Sequence, residues 1–548
     1  MSDLDQNADG ATERPWRLRG ALHNRARRSP RYKWWVLWVA LSGLLATNLL
    51  FTVFVVALPQ VAHGLHTSVA TITWVVTGPL LAFGIVAPLA GKAGDLWGHR
   101  RLFLCGIGLE TVVALVSATA PNPWVLIGAR TLGGLVGASV GAGSMALVLS
   151  VFDVHERVKA LGFWSLVGAG GPVIGVAVGG PVIEALGWRW MFVLQAPLLV
   201  LSAILALAVL PERAAGRPSL AERRAAAGEN VDIGAGTETA PETGPETGTE
   251  KLDLDWAGAV SIATCVGAFL FALNRGPQWG WGGPGVVAAF GISLAAGVLF
   301  IRAERTATEP VFPLRYLRRR NFVFPVAALG FSNFAYLGGF FLAPLLLEEV
   351  FGYEHRQAAV GFLSLPRPIM FSAIAPIAGY VAVRIGERVA AVVGTCAVVA
   401  SMGVFALVSH STGLLLVELA LVLSGMGLGI SAPSLSASAA NEFDPVDLGT
   451  ASASQQMVSQ VGTVAGIQVM QTVQAAAERG RSGAGALLGS FHDAFEVGGA
   501  IALLAVLGAA MTRSTNRRTP PTIDLSEALD ATERPPVLTD RAADVRAG

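Results

Sequence analysis

Four charged residues stand where the chain is otherwise apolar: Glu110, Arg130, Arg367 and Glu418. In hydrocarbon each costs roughly 2.5–3.5 kcal/mol on insertion scales, so each is by default a candidate for holding or moving charge. A carboxyl beside a fixed guanidinium changes its protonation when substrate or conformation moves the pair, which is what coupling to protons requires. Arg130 is the strongest candidate; its structural alternative is bonding to helix carbonyls or headgroups near Trp124. Glu110 lies nine residues beyond Arg101, ~13 Å along a helix. Arg130 lies seven beyond Pro123, ~10 Å from the opposite side. The two reach comparable depth and could pair. Glu418 falls about a turn inside the outer surface, as a coupling group, an outer gate or a plain mouth carboxylate. Arg367, between Pro366 and Pro368 near mid-depth, suits an anionic group, a carboxylate partner or local bonding at a helix break.

A second concentration of charge is the stretch GKAGDLWGHRR, Gly91 to Arg101. Asp95 sits where one apolar run ends; Arg100 and Arg101 sit where the next begins, with Gly91 and Gly98 as spacers. Such charges can bond to helix ends and to each other and hold one conformation of a gate. Basic residues alone would serve topology. An acid between glycines is not needed for that, so Asp95 favours a latch.

The elements that must position these groups follow from composition. The chain has 548 residues, 53% hydrophobic, only 14% charged, with 64 glycines. A soluble domain usually carries about 25% charged residues, so the deficit indicates a lipid-facing protein. The net charge of +1 gives no reason to expect nucleic acid as a partner. Cys105, Cys265 and Cys396 lie singly in apolar runs and read as buried small side chains, not as a disulfide framework or a metal site. His63 and His66 read as solvated loop residues. The absence of a GxxxxGK[ST] loop argues against ATP-driven pumping.

Apolar runs long enough to cross ~30 Å of hydrocarbon start near Trp34, Val69, Leu102, Trp124, Val158, Trp190, Trp256, Gly285, Phe322, Ala358, Val389, Gly413, Thr450 and Ala494. Fourteen spans result. The first is preceded by Arg25, Arg27, Arg28, Arg31 and Lys33 and reads as a retained anchor with a cytoplasmic amino terminus. Basic residues recur in alternate connections, at Arg157 and Lys159, at Arg315 to Arg320, at Arg384 and Arg388, and after the last span at Arg513. Both ends are therefore expected inside.

The expected organisation is a basic tail (1–33), a six-helix bundle (34–210), a disordered cytoplasmic linker (211–253), two inserted helices (254–303), a basic loop (304–320), a second six-helix bundle (321–512) and a tail (513–548). The linker rests on the PETGPETGTE near-repeat and mixed charge. The halves are weakly alike: GYVAVRIGERV, Gly379 to Val389, repeats the loop pattern with Val383 where the acid would stand.

Several stretches carry a family resemblance. GKAGDLWGHRR resembles the loop signature of the major facilitator superfamily, and IGARTLGGLVGA its fourth-helix motif with Arg130 as the buried arginine. GAGGPVIGVAVGGPV, with Gly168, Gly171, Pro172, Gly175, Gly179 and Gly180, resembles the fifth-helix motif of its antiporters. GWRWMFVLQAP and PQWGWGGP, with fourteen spans, are similar to the fourteen-helix drug:proton antiporter branch. The resemblance implies an all-α membrane fold of two six-helix bundles plus two central helices, and proton-coupled export. It also implies an acid in the first helix, before VVALP; Leu50 stands there instead. Coupling then uses other residues or is lost.

The expectation is a plasma-membrane, monomeric exporter of drug-like or lipophilic compounds, without cofactor, energised by the proton gradient. Its rivals are an exporter of an endogenous lipid or secondary metabolite with altered coupling, and a non-transporting sensor or scaffold. Asn48, Thr52, Trp74, Asn333, Tyr336, Gln455 and Gln456 are polar or aromatic groups within spans that could face a substrate, although such residues more often bond between helices.

Overall fold

Alternating helix starts and stops are written locally. Asn122 accepts from the Val125 N–H at 3.0 Å with Pro123 behind it, starting one helix. Asp255 does the same for another through Gly258 N at 2.8 Å. Gly98 and Gly386, at φ +95° and +93°, turn the chain sharply between the second and third helix of each half.

The computed structural model describes residues 31–210 and 255–513, except 68, 73, 308–309, 354–356, 410–411 and 480–484, and omits the side chains of 51–59, 69–70, 172, 176–181, 184 and 357–358. The linker and both tails beyond these limits, with their expected disorder, lie outside the described residues. Among the described residues there is no strand. Fourteen long helices follow one another: α1 (Tyr32–Gly64), α2 (Trp74–Trp97), α3 (His99–Ala118), α4 (Pro123–Val151), α5 (Arg157–Leu186), α6 (Arg189–Val209), α7 (Trp256–Trp279), α8 (Pro284–Thr306), α9 (Arg320–Glu349), α10 (Pro366–Ile385), α11 (Glu387–Ala406), α12 (Gly413–Ala440), α13 (Leu448–Arg479) and α14 (Ala486–Met511). A short helix, Gln357–Ser364, leads into α10. The last helix starts eight residues before the apolar run at Ala494, because GSFHD continues it.

Among the described residues, thirteen spans are long and apolar enough to cross a membrane. The exception is α13, rich in Ser, Thr and Gln. Its polarity is tolerable because α13 is packed in protein, against α2, α4, α7, α9 and α14.

Helices α1–α6 form one bundle and α9–α14 the other. They meet mainly at two crossings, α2 with α13 and α5 with α10, with α4 also against α13 and α5 against α12, and the α7–α8 hairpin lies against α2 and α13. The first helix starts and the last helix ends on one face, here called the basic face; the opposite one is the far face. Cys105 and Cys396 are exposed on the bundle surface and Cys265 is half-buried, so the expectation that all three are buried fails. In lipid a thiol needs no protein cover, since hydrocarbon replaces it.

Candidate functional site

The charge cluster forms a junction between the bundles. At the basic end of α2, Asp95 is fully buried as a side chain. Its Oδ1 accepts from Gly449 N at 2.7 Å, and its Oδ2 accepts from Thr450 N at 2.8 Å and Thr450 Oγ1 at 2.7 Å. These donors open α13, so a carboxylate of the first bundle caps a helix of the second, against the positive end of its dipole. His99 Nε2 lies 3.3 Å from Oδ1. The approach needs glycine on both sides: a methyl at Gly91 would come within 2.5 Å of the Gly449 carbonyl, and one at Gly449 within 2.5 Å of Asp95 Oδ1.

The basic members of the cluster act elsewhere. Arg100 donates to the Leu207 carbonyl at the end of α6, within its own bundle, and Arg101 is exposed. Lys92 is buried toward the inserted hairpin, within electrostatic reach of Glu304 of α8. Glu304 in turn accepts from Val311 N and Phe312 N at 3.0 and 3.1 Å. Sequence reasoning missed this use of the inserted helices.

The loop before α13, residues 441–447, holds the capped end in place. Arg157 of α5 donates to Asn441 Oδ1 at 3.1 Å, a second bond between bundles. Tyr316 stacks on Phe443 at 3.8 Å and donates to Asp447 at 2.8 Å. Burial and the Asp447 charge push the Tyr316 phenol up to about 12, so it stays a donor at any working pH. Ser452 adds a bond to the Ala142 carbonyl of α4 at 3.1 Å.

The antiporter-motif helix makes the second crossing. Methyls at Gly162 and Gly170 of α5 would meet the Ala375 carbonyl at 2.6 Å and Ser372 Oγ at 3.3 Å, both on α10. Gly171 instead packs on Asn48 and Leu45 of α1, Gly175 is buried, and Gly168 faces nothing within 4 Å. Pro172, Gly179 and Gly180 lie outside the described side chains. Gly162 was not singled out from sequence, since it stands before the motif.

The buried charges separate into different settings. Arg130 and Glu110 face each other's charge between α4 and α3, with the Glu110 carboxylate against Gly133 and the Arg130 guanidinium 5.8 Å from the Phe192 ring of α6. Leu50 is fully buried in the apolar cluster that holds Leu126 and Phe192. So the acid that Arg130 meets comes from α3, and a leucine fills the first-helix position beside the same phenylalanine. Glu418 of α12 is half-buried near the far face, with Oε1 lacking a hydrogen-bond partner. Arg367 is fully buried, 4.1 Å from the Tyr336 ring centroid.

Of the remaining candidates, Gln455 is buried with neither polar side-chain atom bonded, and Gln456 meets α4 at Gly141. Both sit just beyond the Asp95 junction, where the bundles adjoin. Asn333 donates to the Leu329 carbonyl of its own helix at 2.8 Å. The Trp74 ring lies 4.6 Å from the Arg275 guanidinium of α7, a contact with the inserted hairpin. The Thr52 side chain is outside the described residues.

Against known proteins, residues 39–467 match the family model described as Major Facilitator Superfamily. The Puromycin resistance protein pur8 of Streptomyces alboniger is 29% identical over 490 residues, 87% of this chain and 90% of that one. The Tetracenomycin C resistance and export protein of Streptomyces glaucescens is 26% identical over 83% of this chain and 78% of its own. Among solved structures, the proton:xylose symporter XylE superposes with a TM-score of 0.58 at 14% identity, covering 87% of this chain and 94% of that one. That likeness is one of fold.

Proposed function

The chain belongs to the major facilitator superfamily, and from that premise we propose that it exports drug-like or lipophilic compounds by proton antiport, with its basic face in the cytoplasm. It is a multi-pass membrane transporter and not an enzyme. Resistance and export in the names of its relatives support outward movement of small molecules. Latching at the basic face and an interface just beyond it fit a carrier that opens to one side at a time.

The observation that carries the coupling is the Glu110–Arg130 pair beside Leu50. A proton arriving from the far face neutralises Glu110 and frees Arg130 from its counter-charge. The two states then differ in what Arg130 must bond, which is the unequal binding an ion needs to drive a cycle. The energy source is the proton gradient, without cofactor, and the working unit is the monomer in the plasma membrane. Leu50 also favours one second reading, export of an endogenous lipid or metabolite without proton coupling.

The test is resistance and flux. A pump-deficient host expressing the chain should gain resistance to puromycin or tetracenomycin C, and proteoliposomes should move the same compounds uphill under an imposed pH gradient. Glu110→Gln and Arg130→Ala should keep downhill flux and lose uphill flux by at least tenfold. Flux indifferent to pH removes the antiport, and no flux with any compound removes export.

A further inference from the structure

Arg367 is the largest fully buried side chain among the described residues, at 0% exposure. No hydrogen bond of good geometry from its Nε, Nη1 or Nη2 is found among the described residues, and the Tyr336 hydroxyl is a looser side-chain partner. Arg130 is dressed in the same way by an aromatic ring but faces Glu110, and Arg157 donates to Asn441 and to the Leu149 carbonyl. Arg367 instead has the Tyr336 ring at 4.1 Å and the Phe340 ring at 5.8 Å. A cation–π contact and one hydroxyl compensate only a small part of burying a guanidinium, so most of its five N–H donors are left waiting for acceptors.

Local backbone adds to this. The regular bonding of the tenth span is interrupted at Leu365, which keeps helical angles (φ −64°, ψ −32°), because Pro366 and Pro368 carry no N–H. Across from it, α9 has Gly339, where a methyl would touch Nη1 and Nη2 at 3.5 and 3.6 Å. The missing side chain keeps the guanidinium ends clear.

The place is close to the substrate route of the export reading, on which this inference rests. Helix α9 is covered by α12, α13 and α14 of its own bundle. Asn333, Leu337, Phe340 and Pro344, four and three residues apart on one side, remain half-buried. Phe340 is the member of that side that also touches Arg367, and Phe371 packs edge-on to Tyr336 at 5.7 Å.

We propose that Arg367, stacked on Tyr336, binds the headgroup of amphipathic anions, so that the compounds this carrier moves include ones that bear a carboxylate, sulfonate or phosphate on an apolar body. The planar fork takes two oxygens of such a group side by side. The apolar body rests on Phe340 and Phe371. A cationic amphiphile of the same length is refused, because its charge would meet the guanidinium unscreened.

The experiment is thermal melting of the purified full chain in dodecyl maltoside with four ten-carbon amphiphiles: decanoate, decyl phosphate, decanol and decyltrimethylammonium. Decanoate or decyl phosphate should raise the melting temperature by several degrees while decanol and decyltrimethylammonium do not; whichever anion acts names the headgroup. Arg367→Met should abolish that shift. Arg367→Lys, which keeps the charge and loses the fork, should weaken apparent affinity about tenfold and serves where the methionine variant does not fold. Equal shifts with all four compounds, no shift with either anion, or an anion shift that persists in the variants would overturn the site. Uphill flux is read separately: selective anion binding without export counts against the export reading alone, and export of decyltrimethylammonium as efficient as that of the anions counts against this site alone.

Discussion

The two crossings between the bundles occupy equivalent places in the repeat and are built differently. Where α2 meets α13, Gly91 lets the backbones touch and Asp95 fills the remaining space with a carboxylate that bonds two N–H groups and a hydroxyl. Where α10 meets α5, Gly379 allows the same closeness to Val158 and Lys159, but the residue four further on is Val383. It packs in an apolar cluster with Val158 and Leu161. The acid has moved to Glu387, the first residue of α11, where it accepts from Ser438 of its own bundle at 2.9 Å and lies within electrostatic reach of Arg157 of α5. Lys159 lies 5.5 Å from the Tyr380 ring, so the crossing is mostly packing and cation–π contact, with no buried carboxylate capping a helix across it among the described residues. A charge-assisted set breaks cleanly when its partner moves, since water can take over each bond. Apolar packing slides with little change in energy. On this contrast we propose the α2–α13 crossing as the latch and the α5–α10 crossing as the bearing on which the bundles turn.

The sharpest break of this contrast is Asp95→Asn. The amide keeps the shape, but loses the charge and presents an N–H₂ toward backbone donors. Losing most of three charge-assisted bonds, partly repaid by water, removes about 3 kcal/mol from the closed state, about a hundredfold in population. Cysteine reporters in a background without Cys105, Cys265 and Cys396 read this out: Ser452→Cys at the latch and Ser372→Cys at the bearing. Thiol labelling at 452 should rise about a hundredfold and that at 372 far less. Equal rises would mean that one crossing does not differ from the other.

Alanine at the paired glycines comes next. A methyl at Gly91 would lie 2.4 Å from Ala453 Cβ and 2.5 Å from the Gly449 carbonyl; at Gly379 it would lie 2.8 Å from the Val158 carbonyl and 3.0 Å from Lys159 Cα. Overpacking of this kind costs about 1–3 kcal/mol. Gly91→Ala should raise labelling at 452 roughly thirtyfold, for a cost near the middle of that range. Gly379→Ala should change labelling at 372 only a few-fold, because its neighbours need to give less. A larger effect at 379 would reverse the assignment of latch and bearing.

How far these features can be read from sequence depends on what their partners are. Asp95 was legible because an acid between glycines at a span's end has no topological use. Its partners were not, because they are backbone N–H groups 354 and 355 positions away, and any residue type supplies those. The Glu110–Arg130 meeting was legible from depth, since run lengths and a fixed helical rise place both groups. Arg367 was legible as buried but not as unbonded, which depends on Tyr336 and Gly339 arriving from α9. The contact of Trp74 with Arg275 was not legible, because an aromatic residue within a span gives no sign of which side it faces. The fourteen helices were legible as a count, α13 included, although its glutamines belong to a helix that protein, not lipid, surrounds.

The smallest expected effect concerns the loop that presents the latch. Tyr316 donates to Asp447 at 2.8 Å and to Asp444 at 3.2 Å, and its ring lies on Phe443. Its bonds and ring contacts, to Asp444, Asp447 and Phe443, lie in the same bundle as α13, so it acts on the latch by fixing where Gly449 and Thr450 stand. Tyr316→Phe keeps the stacked ring and removes the hydroxyl, leaving both aspartates to an Arg315 that is 59% exposed as a side chain. Such an exposed pair holds little on its own. The lost bonds amount to about 1 kcal/mol, and the part that reaches the capped helix end is smaller still. Labelling at 452 should rise two- to threefold in Tyr316→Phe, while labelling at 372 stays at the wild-type rate. The double variant with Asp95→Asn should label no faster than Asp95→Asn alone, because without the carboxylate the position of the donors no longer matters. Additive effects would show that Tyr316 stabilises the bundle and not the latch.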